Sequence, residues 1–382
     1  MSASLVQVDD LDHLGLDQSY MQQALRLAER GRYTTKPNPC VGCVLVKENK
    51  VVGEGYHQRA GGPHAEVYAL RQAGEHSQGA TAYVTLEPCA HTGRTGPCAE
   101  ALIAAKVSRV VVAMQDPFEQ VAGQGIEKLH AAGIRVTVGV CERQARELNL
   151  GFITRVEKKR PWIRIKMAQS LDGRTAMASG ESQWITGPES RQDVQRLRAC
   201  SSAIFTGIGT VLHDNPELKV RAAELGEAFL EQDQPVRVIV DSQLSMPLQA
   251  KILKQVDTVL IITSEQQQDS EQARLLNHLG VNIAYAPMDS LGKIDLVWCM
   301  RLLAGKGINE LHVEAGATLA GALIQQGLCD ELVIYMATVL LGSQARPLFD
   351  LSLTKMSEKV ALHLEDLCRF GDDMRLTLKP VV

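Results

Sequence analysis

One stretch limits the folds open to this chain. Residues 64–98 contain HAEVYALRQAG, a short spacer, and then TAYVTLEPCAHTGRTGPC. His64 opens a helical pattern, Cys89 closes an alternating, strand-like one, and Cys98 opens a second helical pattern. One imidazole and two thiolates fill three corners of a zinc tetrahedron and leave the fourth for water, whose pKa the metal lowers. Glu66, two residues after His64, is placed to move protons rather than to bind metal. The expected geometry is a single site. His64 and Cys98 each fall in or at the first turn of a helix, and a helix N-terminus favours the thiolate form of Cys98.

The segments around this stretch alternate between strand and helix. Residues 19–32 have helical spacing, with Ser19 as N-cap and Gly31 as stop. CVGCVLV and KVVGEGYH form a hairpin across a polar turn, and further strands are expected at 81–89, 108–116 and 134–140. Helices at 64–74, 98–107 and 125–133 complete a three-layer α/β domain. Cys40 and Cys43 form a C-x-x-C pair, but they lie in an apolar strand-like run with no second pair, so they read as core. A basic run, RVEKKRPW (155–162), reads as a solvated junction. The domains are therefore placed at 17–158 and 159–382.

The second half reads as another α/β domain with a mostly parallel sheet. Strands are expected at 162–170, 202–210, 235–243, 257–264, 281–287, 308–316 and 331–340. Helices are expected over PESRQDVQRLRAC and around 270–279, 294–304 and 318–327. No G-x-G-x-x-G follows a strand. In HVEAGATLAGAL a strand turns at Gly316 into a helix, an arrangement that suits a phosphate through backbone N–H groups and the helix dipole. Asp172 reads as the cap of a turn.

Composition narrows the function. A net charge of −4 over 382 residues gives no basic field for nucleic acid. No stretch approaches the ~20 apolar residues of a membrane span. The acidic lead-in, residues 1–16, lacks a signal-peptide layout and is expected to be solvated and at best partly ordered. Nine scattered cysteines fit a reducing cytoplasm.

The H-x-E…P-C…C arrangement is that of zinc-dependent nucleobase deaminases. Here AHTGRTGP separates the two cysteines, where most of that superfamily has two residues, and His91 and Arg94 in this loop are candidates for substrate contact. NPCVG, HAE and TLEPCAHTGRTGPC, followed by SLDGRTA, GESQWIT, TVLHDNPEL, VDSQ and VEAGATLAGAL, together resemble the bifunctional riboflavin-biosynthesis deaminase/reductases. The resemblance runs from about Tyr20 onward.

It implies a cytidine-deaminase-like domain followed by a dihydrofolate-reductase-like one, with Zn2+ and NADPH as cofactors. It also implies deamination of 2,5-diamino-6-ribosylamino-4(3H)-pyrimidinone 5′-phosphate, then reduction of its ribosyl group to ribityl. His64, Cys89 and Cys98 would hold zinc and Glu66 would carry the proton. Asn38, His57, His91 and Arg94 match positions around the pyrimidine phosphate. Ala168, Trp184, Thr210, Asp214 and Ser242 match NADPH positions, as do Gly316, Ala317, Thr318, Leu319, Ala320, Gly321 and Ala322. Ser182, Arg198, Leu218, Arg221 and Glu314 match substrate positions in the reductase, with Arg198 and Arg221 suited to a sugar phosphate. The implied partner is a small phosphorylated pyrimidine, and the implied state is a cytoplasmic dimer or tetramer.

Overall fold

The computed structural model describes residues 9–90, 96–118, 122–225, 229–230 and 233–381, with side chains from Gly15 onward. The chain divides into two compact units, Met1–Lys158 and Lys159–Val382.

The first unit is built on five strands: β1 (Gly42–Lys47), β2 (Lys50–Tyr56), β3 (Thr81–Val84), β4 (Arg109–Val112) and β5 (Arg135–Val138). Their order is β2-β1-β3-β4-β5; β1 is antiparallel to β2 and β3, and β3, β4 and β5 run parallel. Glu48 and Asn49 both have positive φ and close β1–β2 in a two-residue turn that matches the twist of the strands.

Alternation along the strands then sorts the core. Cys43, Leu45, Ala82, Val84, Val110 and Val112 pack against α2 (Ala65–Ala73), α3 (Cys98–Ala104) and α4 (Gln124–Ala131). Val44, Val46, Tyr83 and Val111 pack on the other face, against α1 (Asp9–Glu29), α5 (Glu142–Leu148) and α6 (Leu150–Lys158). The result is three layers.

Two glycines set how closely α2 lies on β2. A Cβ at Gly55 would stand 2.3 Å from the Ala65 carbonyl oxygen, and one at Gly53 would stand 2.2 Å from that of Ala69. The helix that starts at His64 therefore rests on bare backbone.

Several boundaries differ from the sequence expectations. α1 begins at Asp9, ten residues before Ser19, because Asp17 is held by both terminal nitrogens of Arg109 and by the Tyr83 hydroxyl. β3 stops at Val84, and Thr85–Cys89 continue as irregular chain tied to Gly42 and Met114. The basic run is not a solvated linker. Arg155–Lys158 end α6, and Arg160 makes two hydrogen bonds to Asp330, at 2.5 and 2.7 Å.

The second unit carries a nine-stranded sheet. Its strands are β6 (Trp162–Ser170), β8 (Ala203–Gly207), β9 (Val236–Val240), β10 (Val259–Ser264), β11 (Asn282–Ala286), β12 (Glu310–Val313), β13 (Glu331–Ala337), β15 (Leu362–Phe370) and β16 (Asp373–Pro380). The order is β11-β10-β9-β8-β12-β6-β13-β16-β15. It is parallel as far as β13 and antiparallel from there on. β7 (Arg174–Ala176) and β14 (Arg346–Pro347) pair separately.

The helices are α7 (Pro188–Cys200), α8 (Ile208–Asp214), α9 (Ala222–Leu225), α10 (Glu271–His278), α11 (Leu296–Gly305) and α12 (Ala317–Gln325). One face of the sheet, with Ile163, Ile165, Phe205, Val238, Ile262 and Val313, packs on α11 and α12. On the opposite face, Ile204, Ile239 and Ile261 pack with Val211 of α8 and with Ala273 and Leu276 of α10.

The mostly parallel sheet agrees with the sequence pattern, but two features do not. Ile208–Thr210 leave the expected strand and open α8. The β15–β16 hairpin was not anticipated. Asp172 caps no turn of its own; it accepts the N–H groups of Leu341 and Gly342 and the Ser170 hydroxyl. No helix among the described residues is long and apolar enough to cross a membrane.

Candidate active sites

The first unit brings its three expected ligands together. His64 is the N-cap of α2, in extended conformation, and Cys98 is the first residue of α3, after Pro97. Cys89 ends the irregular segment that follows β3. His64 Nδ1 lies 3.2 Å from Cys98 Sγ and 3.5 Å from Cys89 Sγ. All three donor atoms fall within 4.8 Å of one another. A tetrahedral zinc with bonds of about 2.1 Å to nitrogen and 2.3 Å to sulfur has an N–S edge of about 3.6 Å, so the donor set fits that ion.

The electrostatics distinguish the two thiols. The Cys89 thiol is pulled down, first by the hydrogen bond from Cys98 and then by one from His64, against the cost of burial. Cys98 is pushed up, because it donates to Cys89 and is buried. The helix start does favour a thiolate, but on Cys89: the Cys98 N–H, at the head of α3, points at Cys89 Sγ at 3.3 Å.

Glu66 stands at the second position of α2 and is 3 % exposed. Its Oε2 is buried and has no hydrogen-bond partner among the described residues. Burial raises its pKa, against the pull of its own backbone N–H and of His64. Cys43 lies near enough to feel this charge, and burial together with Glu66 keeps it a thiol. Cys40 precedes β1, where its backbone is tied to the Asn149 side chain. Neither cysteine of this pair joins the metal group.

His57 and Asn38 lie beside the ligands. The His57 ring meets that of His64 edge-on at 5.5 Å. Its Nδ1–H donates to the Pro63 carbonyl, at 3.0 Å, which leaves Nε2 to accept from Asn38 Nδ2, at 3.1 Å. Burial lowers the His57 pKa and keeps the ring neutral. His91 and Arg94 lie outside the described residues.

The second unit holds a cavity of about 1360 Å³ at the carboxyl ends of its parallel strands. Ala168, Trp184, Thr210, Asp214 and Ser242 line it, as do Gly316–Leu319 and Ala322. Ser182, Arg198, Leu218, Arg221 and Glu314 line it as well. Ala320 and Gly321 do not. Ala320 is fully buried, and a Cβ at Gly321 would stand 2.2 Å from the Asp350 carbonyl oxygen. α8 and α12 both begin at a glycine N-cap without a side-chain cap, and their first residues line the cavity.

Arg198 is committed to its neighbours. It makes two hydrogen bonds to Glu314, at 2.5 and 2.9 Å, and a third to the Lys219 carbonyl. Burial opposes ionisation of Glu314, but the Arg198 guanidinium overrides it and holds the carboxyl well below its usual range. Arg221 is half-exposed and, among the described residues, forms its ion pair with Glu224, at 2.7 Å, three residues on. Lys166, which the sequence reading passed over, also lines the cavity, and desolvation lowers its pKa. Its place in β6 carries no signal of its own, because Arg164 and Lys166 both take the half-buried positions of the same alternation.

Comparison with known proteins covers both units. Residues 15–114 match the cytidine and deoxycytidylate deaminase zinc-binding region, and residues 161–376 match the RibD C-terminal domain. Riboflavin biosynthesis protein RibD of Escherichia coli K12 is 50% identical over 370 residues, which is 95% of this chain and 99% of that protein. The protein of the same name from Aquifex aeolicus is 41% identical over 364 residues, 95% and 98% of the two chains. Among solved structures, Acinetobacter baumannii RibD superposes with a TM-score of 0.89 at 48% identity, covering 97% of this chain and 100% of the other. A diaminohydroxyphosphoribosylaminopyrimidine deaminase/5-amino-6-(5-phosphoribosylamino)uracil reductase from Thermotoga maritima gives 0.85 at 31% identity, with the same coverage.

Proposed function

The chain belongs to the RibD family of riboflavin-biosynthesis enzymes, and from that premise we propose that residues 17–158 deaminate a phosphorylated diaminopyrimidine and residues 159–382 reduce its ribosyl side chain with NADPH. The substrate of the first step is 2,5-diamino-6-ribosylamino-4(3H)-pyrimidinone 5′-phosphate, and the final product is 5-amino-6-ribitylamino-uracil 5′-phosphate. The observation that carries the reading is the convergence of His64, Cys89 and Cys98 beside the buried Glu66, one of whose oxygens has no partner among the described residues.

His64, Cys89 and Cys98 hold zinc, which supplies the Lewis acidity that makes water a nucleophile at neutral pH. Glu66 moves the protons. Its raised pKa lets the carboxylate take a proton from the attacking water and give it to the ring nitrogen, and then carry a second proton, from the hydroxyl now on the ring carbon, to the amine that leaves as ammonia. Asn38 and the neutral His57 orient the pyrimidine; His91 and Arg94 complete the substrate contacts, with Arg94 as a cation for the phosphate.

In the second unit NADPH supplies the hydride, and the protein's task is placement. Ala168, Trp184, Thr210, Asp214 and Ser242 bind the cofactor. The uncapped start of α12, Gly316–Leu319, offers N–H groups to its phosphates, and Ala322 lies on the same wall of the cavity. Ala320 and Gly321 act by packing α12 rather than by contact. Ser182, Leu218 and Glu314 face the substrate. Arg221 takes the sugar phosphate, because Arg198 is already bound to Glu314 and Lys219. The same reading makes the protein a cytoplasmic dimer or tetramer.

The test follows ammonia release and NADPH oxidation together, with the diaminopyrimidine phosphate as substrate. A zinc chelator should stop ammonia release, while NADPH oxidation should persist when the deaminated intermediate is supplied directly. Ammonia release that continues in a metal-free protein would overturn the assignment.

A further inference from the structure

Glu87 lies two residues before Cys89 and is 5 % exposed. Its carboxylate is bound to the start of α4. Oε1 accepts the N–H of Gly125, at 2.9 Å, and of Ile126, at 3.3 Å. Oε2 accepts the N–H of Gly123, at 2.9 Å, and of Asp116, at 3.2 Å. One side chain therefore satisfies four backbone donors, three of them at the head of α4, where the helix dipole also favours an anion.

The residues on either side of Cys89 are gripped by the same helix. A Cβ at Gly125 would stand 1.9 Å from the Pro88 carbonyl oxygen, so α4 touches the chain at Pro88 through bare backbone. Lys128 Nζ, one turn further along, donates to the Ala90 carbonyl at 2.8 Å. Cys89 itself is met from the other side by α3: its carbonyl accepts the Ala99 N–H, and its sulfur the Cys98 N–H. Glu87, Pro88 and Ala90 thus bracket a cysteine that belongs to no helix or strand.

We infer that Glu87 is a positioning residue for the metal centre: through the head of α4 it fixes Cys89 where the sulfur meets His64 and Cys98. A ligand on irregular chain has no ladder of its own to hold it, and the carboxylate supplies the missing restraint. Outer groups that orient a metal ligand typically change metal affinity 10–100-fold when removed. Glu87→Ala removes all four bonds, whereas Glu87→Gln keeps one acceptor oxygen and so about half of the anchoring.

The experiment uses the full-length protein loaded with zinc and measures metal transfer to a competing chelator, with the visible spectrum of the cobalt-substituted protein as a second readout. Glu87→Ala should lose zinc about 10–100-fold more readily than wild type and show an altered cobalt spectrum. Glu87→Gln should fall between the two. NADPH oxidation with supplied deaminated intermediate reports on the second unit, and the far-UV circular dichroism of the metal-free protein reports on the fold. If Glu87→Ala fails to fold, Glu87→Gln decides. A folded Gln variant that holds zinc as wild type does, with an unchanged cobalt spectrum, would overturn the inference. A graded loss in a folded protein would support it.

Discussion

At the scale of single residues, the two units use buried carboxylates in opposite ways. Glu66 has one oxygen without a partner among the described residues, and burial raises its pKa. Glu66→Gln should therefore retain zinc on elemental analysis yet lose about 10²–10⁴-fold in ammonia release, because a positioned proton carrier contributes about that much. Glu314 is fully partnered and its pKa is depressed. A depressed carboxyl contributes stability above its ordinary value, here 4.5, and that stability fades as pH falls from there through the folded pKa. Glu314→Gln should remove this acid sensitivity from the second unit. It should also cost roughly 3–5 kcal/mol at neutral pH, because Arg198 is then left buried without its counter-ion. Urea titrations at pH 7 and pH 4 measure both effects. The meeting of His64, Cys89 and Cys98, with Glu66 buried two residues from His64, was legible from residue type and order. The commitment of Arg198 to Glu314 was not, since the two stand 116 residues apart.

At the scale of elements, the first site depends on how α2 is seated. Gly55 leaves no room for a methyl group beneath Ala65, so Gly55→Ala should lift the start of α2 and with it His64. The expected outcome is a destabilisation of about 1–3 kcal/mol, the usual cost of overpacking, together with a fall in bound zinc. Calorimetry and metal analysis on one sample check both. Hydrophobic period identified most strands and the central helices, because those elements satisfy their pattern locally. It failed where the cause is distant. α1 reaches back to Asp9 because Asp17 meets Arg109 and Tyr83, which lie far along the chain. The run 155–162 reads as a solvated junction because Arg155, Lys158, Lys159 and Arg160 obscure the end of the apolar face that puts Ile153 and Val156 in the core. The β15–β16 hairpin went unread because most of β15 is exposed and its pattern does not stand out.

At the scale of the whole molecule, each unit has its own sheet and its own core. A small feature of the second unit acquires a use from that division. Trp184 stands 67% exposed on the rim of the cavity, with the Arg191 guanidinium 4.5 Å above its ring. The other two tryptophans, Trp162 and Trp298, also lie after Lys159, so the first unit contains none. Indole emission consequently reports on the second unit alone, while the far-ultraviolet signal sums both. In a denaturant titration, any gap between the two curves is the unfolding of the tryptophan-free unit, read without a label. Trp184→Phe should dim the part of the emission that changes when NADPH is added, because the other two indoles lie away from the cavity lining. The protein thus carries its own lamp in one unit and leaves the other dark, which lets an optical measurement assign an event to a domain.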